Sequence, residues 1–273
     1  MIAVEKTQRE IGTLAYDELA PRYDLVPSEN RINRLMRNAS VAHLLEMYPP
    51  GSRVLEIGCG TGDEALALAQ RGVDVVAIDP APEMVRIATE KAEERGLTMR
   101  VEFRRAYARD LPSIADSLGG PFDGGYASFS LEYEPDLEPV ARGLHKVLRP
   151  EARFLASVPS RLCLVEFALA IGSGHPGMSG RRLSPWHDHK VGGHFVPIRT
   201  YTPRAFARAI SPHFAIERVE ALPAIVPPPY MNRIYSRFDG FAEAVERADA
   251  ALRARFPFRY LGDHFIAFLR RVS

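Results

Sequence analysis

Apolar positions near the start of the chain recur at helical spacing. Ile32, Leu35, Met36, Val41, Leu44 and Leu45 follow that spacing, so 14–48 reads as helices with a break at Pro21 and a stop at Pro49-Pro50-Gly51. Beyond the stop, short apolar runs alternate with amphipathic stretches. Strands are predicted over 53–57, 73–78, 99–104, 122–129 and 153–158, and helices over 64–71, 83–95 and 137–148, punctuated by Gly72, Gly96 and Pro150.

Strands alternating with helices of this length predict a parallel sheet covered on both faces. The rhythm breaks after Pro159. A helix is expected over 161–171, and then 172–193, rich in glycine, histidine, arginine and proline, reads as an inserted lid. Regular elements return as a helix over 203–210, a strand over 214–222, a helix over 241–255 and a last strand over 264–271. The 273 residues fit one α/β domain with additions. We divide them into an N-terminal helical cap, 1–48, and a doubly wound α/β domain, 49–273, with an insertion at 160–200.

Composition narrows the classes of function. Hydrophobic residues make up 46% and charged residues 25%, as in an ordinary globular protein. The 35 basic and 34 acidic residues nearly cancel, which leaves no electrostatic footprint for nucleic acid. The longest apolar run, 162–171, is interrupted by Glu166 and falls short of the roughly 20 residues a bilayer requires, so no membrane partner is expected. The first residues do not resemble a signal peptide. Two cysteines, Cys59 and Cys163, are too few for a disulfide scaffold, and a reducing cytoplasm is the expected home.

The chemistry concentrates in Val54-Leu55-Glu56-Ile57-Gly58-Cys59-Gly60-Thr61-Gly62-Asp63, at a predicted strand-to-helix turn. Glycines suit a turn where backbone approaches a ligand closely and φ turns positive. The dinucleotide fingerprint asks for glycine at the sixth place of G-x-G-x-x-G, which here is Asp63. Pyrophosphate at a helix N-terminus wants positive potential, whereas Glu56 and Asp63 are expected to bring negative charge. A cationic ligand with an amino group, a sulfonium and no phosphate fits better. Asp79 follows at the end of the next strand, where an acidic residue bonds ribose hydroxyls.

VLEIGCGTG together with Asp79 resembles the cofactor signature of class I S-adenosylmethionine-dependent methyltransferases. The resemblance extends through IDPAPEMV and FDGGYASFSLEYEPDLEPVARGLHKVLRP, and the opening YDELAPRYD looks like that family's N-terminal helical cap; together these cover about 14–160. It implies an α/β, Rossmann-like, doubly wound sheet of seven mostly parallel strands with the last antiparallel, and S-adenosylmethionine as cofactor. It further implies that Glu56 and the backbone of Gly58, Cys59, Gly60 and Gly62 surround the methionine moiety. Asp79, with Pro80 beside it, would take the ribose, and Met84 would pack on adenine. Tyr107 stands where the family often carries an aspartate for the adenine amino group, so Tyr107 or the Ala108 backbone is expected there. Ser128, Tyr16 and Tyr23 complete the expected cofactor contacts.

The activity so implied is methyl transfer to O, N or C of a small organic molecule. Two other readings stay open: a protein that binds S-adenosylmethionine without transferring its methyl, and a nicotinamide oxidoreductase, against which Asp63 argues. Leu131, Glu132, Tyr133 and Glu134 follow the fourth strand at the carboxyl edge of the sheet, where ligands of open α/β folds bind. Leu131 and Tyr133 are expected to meet the substrate, joined by Trp186 and His194. Tyr230 lies in the proline-rich stretch 222–235, which reads either as a pocket wall or as a rigid surface connection. His175, His187, His189 and His194 crowd the lid with Asp188, but His-Asp-His has no established ligand spacing and no metal is expected. His194, heading an apolar segment, is the candidate general base. Tyr16, Tyr23 and the lid are expected to close over the cleft.

Overall fold

The computed structural model describes residues 2–172 and 182–273. Nine strands occur among them: β1 (Arg53–Ile57), β2 (Asp74–Asp79), β3 (Val101–Arg105), β4 (Phe122–Ser128), β5 (Leu148–Pro159), β6 (Trp186–Val191), β7 (His194–Arg199), β8 (Phe214–Leu222) and β9 (His264–Arg271). Seven form one sheet in the order β3-β2-β1-β4-β5-β9-β8, and β6 with β7 forms a separate pair. Val54, Leu55 and Ile57 of β1, like Val75 to Ile78 of β2, are buried, as central parallel strands with both faces covered require. β9 alone runs antiparallel to its neighbours, β5 and β8, as the resemblance implied.

Chain order reverses between β1 and β4, which pair in parallel from Val54–Gly124 to Glu56–Tyr126. The loops leaving their carboxyl ends turn opposite ways and open a crevice at this switch point. Helix Arg31–Met47 packs beneath, started by Asn30, whose side chain accepts from the Ile32 and Asn33 amides at 3.0 and 3.1 Å. The following Tyr48 hydroxyl donates to the Gly125 carbonyl at 2.6 Å. Gly125 itself has no room for a side chain, since a Cβ would stand 2.6 Å from the Leu55 carbonyl of the next strand. Gly125→Ala is therefore expected to cost about 1–3 kcal/mol by overpacking, read as a lower denaturant midpoint with an unchanged slope.

Two elements differ from the sequence expectation. The first helix runs Ile2–Leu19 rather than starting near 14, with Ile11, Ala15 and Leu19 forming its inner stripe. The predicted insertion, 160–200, contains a hairpin, β6 and β7, closed at Gly192-Gly193 with Gly192 at φ +57°. Residues 173–181 of the predicted lid, His175 included, lie outside the described residues. Val191 and Val196 of the hairpin pack on Ala15, Ile11 and Tyr16 and against Tyr133. Helix and hairpin thus make one roof above the crevice.

Candidate cofactor and substrate cleft

β1 delivers the chain at Ile57 into three left-handed glycines, Gly58 (φ +75°), Gly60 (+51°) and Gly62 (+84°), before helix Asp63–Gln70. A Cβ at Gly58 would stand 2.2 Å from Cβ of Ser130, so this turn is pressed against the loop after β4. Gly60 differs. Its nearest neighbour would be the Tyr23 ring at 3.5 Å, and its backbone lines the cleft.

Asp79, at the carboxyl end of β2, fixes the turn from the other side. Its Oδ2 accepts from the Gly60 amide and its Oδ1 from the Ala81 amide, both at 2.9 Å. Burial pushes its carboxyl up to about 6, against the pull of those two amides. Asp79, Pro80, Met84, Tyr107 and Ala108 then line one side of a cleft of about 1050 Å³, counted with its open mouth. Ser128, Phe129, Ser130 and Tyr133 line the opposite side, and Tyr16, Tyr23 and Trp186 lie along the roof.

Hydroxyl pairs join roof to floor. Tyr16 and Tyr133 share a hydrogen bond, and the Thr13 hydroxyl lies 3.2 Å from that of Tyr107. Burial pushes the Tyr16 and Tyr133 phenols up, so both stay neutral and protonated. The Arg37 guanidinium donates to the Tyr23 hydroxyl at 2.7 Å and stacks on its ring. A second guanidinium, Arg109, lines the cleft, stacked over Tyr107 with Nη2 3.6 Å from Glu134.

The family described as "Methyltransferase domain" matches residues 54–151, the stretch that builds this turn, Asp79 and the β4 edge. Over those residues the chain carries a methyltransferase domain. It is 37% identical over 150 residues to a demethylmenaquinone methyltransferase of Thermus thermophilus, covering 51% of this chain and 62% of that one. It is 35% identical over 125 residues to a ubiquinone biosynthesis O-methyltransferase of Xanthomonas axonopodis pv. citri, covering 46% and 50%. The matches therefore span less than two thirds of either relative. Among solved structures, the [4+2]-cyclase SpnF superposes with a TM-score of 0.57 at 21% identity, covering 86% of this chain and 81% of that one. That likeness concerns fold alone, since a fold does not fix a reaction.

Within the methyltransferase domain, several expected site residues lie elsewhere. Glu56 alternates with Ile57 along β1 and so points to the opposite face, where burial beside Glu64 pushes its carboxyl well up. Asp63 turns away to Lys91 at 2.9 Å, whereas Asp79 accepts directly from the Gly60 amide. Cys59 is buried behind the turn, and Gly62, N-cap of the next helix, is enclosed by Phe103 and Ala88. None of these four lines the cleft.

The substrate side is also redrawn. Leu131 packs into the core with Leu137 and Val140, and Glu132 is buried, its carboxyl pushed up to about 8. His194 pairs with Glu18 at 2.9 Å and does not line the cleft, so it is not placed as a base. Tyr230 lies on the outer surface, its hydroxyl 3.4 Å from Glu166. Thr13, Arg109, Phe129 and the Val196-Pro197 pair of the hairpin were not foreseen. The Gly192-Gly193 dipeptide was the one signal that could have placed the last two.

Proposed function

We propose that the protein binds S-adenosylmethionine in this cleft and methylates O, N or C of a small, largely apolar molecule. The observation that carries the reading is the Asp79 carboxylate tied to the left-handed Gly60 beneath an aromatic roof. The cofactor supplies an electrophilic methyl group on a sulfonium. The backbone of Gly58 and Gly60, which lines the cleft, would hold its amino-acid end, and a side chain at Gly60 would project toward the Tyr23 ring across the space that end needs. Each Asp79 oxygen accepts one amide and keeps a further lone pair for a ribose hydroxyl. Met84, Tyr107 and the Ala108 backbone flank the place left for the base.

Tyr16, Tyr23 and Trp186 shut water out, and Tyr133 with Phe129 presents the acceptor. Alignment of two bound reactants contributes about 7–11 kcal/mol, so the reaction asks little more of the side chains. The two relatives are named for quinone-pathway substrates, which favours an aromatic, quinol-like acceptor. The near-zero net charge speaks against nucleic acid, and two free, buried cysteines suit a reducing cytoplasm. Among the described residues no helix is long and apolar enough to cross a membrane. Incubation with S-adenosylmethionine and a panel of quinols and catechols should release S-adenosylhomocysteine. Tight cofactor binding with no release across the panel and a wider metabolite screen would favour a non-methylating role.

The raised Asp79 carboxyl gives this reading a pH signature. A proton on Asp79 removes an acceptor that the amides and ribose hydroxyls share, so cofactor binding favours the ionised form. Affinity for S-adenosylhomocysteine should be flat above about pH 7 and fall roughly tenfold per unit below pH 6. The ligand-free protein should respond in the opposite sense, this group adding stability as pH falls from 6 toward 3.8. Calorimetric titrations between pH 5 and 8 check the first part; an affinity constant across that range contradicts it.

A further inference from the structure

The turns that follow Pro228 have an inner side, where Tyr235 and Ala242 are buried, and an outer side that should be polar and is not. On that outer side Tyr230, Ile234, Phe238 and Phe241 are 61%, 61%, 66% and 65% exposed. They fall on three successive short elements, Tyr230 in the turn Pro229–Met231, Ile234 in the helix Asn232–Tyr235, and Phe238 and Phe241 at the start of helix Asp239–Leu252. Arg233 and Arg237 stand between them, both exposed. The nearby acids are engaged elsewhere: Asp239 and Glu246 pair with Arg31, and Glu243 lies 4.0 Å from Arg247.

This face adjoins the cap of the cleft. Asn30 Nδ2 donates to the Pro229 carbonyl at 3.0 Å, and Asn232 Nδ2 to the Glu29 carbonyl at 3.3 Å. Those bonds bring alongside the short helix that begins at exposed Leu25, two residues beyond Tyr23 of the cleft.

We propose that the face formed by Tyr230, Ile234, Phe238 and Phe241, with Arg233 and Arg237, docks on an anionic lipid surface. Aromatic and aliphatic side chains interleaved with exposed guanidinium groups match the acyl–headgroup boundary, where the rings enter and the arginines reach phosphate. Such surface association needs no spanning segment, and it departs from the sequence expectation of no membrane partner. A second copy of the chain fits less well. Two-fold packing of this face on itself would set arginines against arginines in a desolvated contact. The proposal stands independently of what the cleft methylates.

Co-sedimentation of the full chain with vesicles of phosphatidylcholine, with and without phosphatidylglycerol, tests it. The protein should pellet with the anionic vesicles and stay largely in solution with the neutral ones. Phe238→Ser/Phe241→Ser should abolish pelleting, and Arg233→Gln/Arg237→Gln should weaken it roughly fivefold per arginine at low salt. Both variants should keep wild-type melting temperature and S-adenosylhomocysteine affinity, because the face lies outside core and cleft. The proposal is overturned if the wild type ignores both vesicles, or if the arginine variant pellets as well as the wild type. It is equally overturned by a solution dimer that Phe238→Ser/Phe241→Ser dissociates, which would assign the face to a second copy.

Discussion

Gly60→Val should abolish measurable S-adenosylhomocysteine binding in a protein that still folds. Gly60 sits at φ +51°, which a β-branched residue holds only at a cost of about 1–3 kcal/mol. That strain falls at the half-buried Gly60, on the wall of the cleft rather than in the hydrophobic core, so the fold should survive it. The added Cβ would stand 3.5 Å from the Tyr23 ring, with two methyls beyond it in the space between loop and roof. Strain and bulk act at the place where the methionine end is expected. Calorimetry, with circular dichroism as the folding control, decides the matter: wild-type affinity in folded Gly60→Val removes the cofactor from this turn.

Asp79→Ala should weaken the same binding a hundredfold or more. Two ribose hydroxyls on a carboxylate are worth about 1.5–3 kcal/mol each, and the Gly60 and Ala81 amides lose their acceptor as well. Asp79→Asn separates these effects. It keeps an acceptor oxygen for one amide, so it should lose less affinity and, lacking the titrating carboxyl, also lose the decline below pH 6. A loss of under tenfold in Asp79→Ala would place the ribose elsewhere.

Much of the frame was legible because local pattern and tertiary demand agree. The expected bounds of Pro203–Ile210, Phe214–Leu222 and His264–Arg271 coincide with those found: the first is strongly amphipathic and starts on Pro203, the second lies between Pro212 and Pro223, and the third opens on the apolar run Phe265 to Leu269 after Gly262. β5 begins at Leu148 instead of 153 because Pro150 masks a start that pairs with Phe122 across an irregularity in register. The first half of the N-terminal helix was too polar to show a period. Its inner stripe becomes apparent only against the hairpin it covers.

The cleft divides similarly. Gly58, Gly60 and Asp79 were readable because spacing along a strand–turn–helix unit dictates where they fall. Glu56 was assigned to the ligand although the period of two along β1 already sends it away from Ile57. Asp63 finds Lys91 on the neighbouring helix, a contact that no local pattern announces. Thr13 and Arg109 carry no motif. Thr13 reaches the cleft only because the roof folds down on the loop after β3, and Arg109 is carried there by that loop itself.

The most direct test of the central claim is a crystal structure of the protein with S-adenosylhomocysteine. The account predicts the ribose hydroxyls on the Asp79 carboxylate, the homocysteine end over Gly58 and Gly60, and the sulfur facing the side lined by Tyr133 and Phe129. A ligand bound outside this cleft, or one whose ribose avoids Asp79, would contradict it.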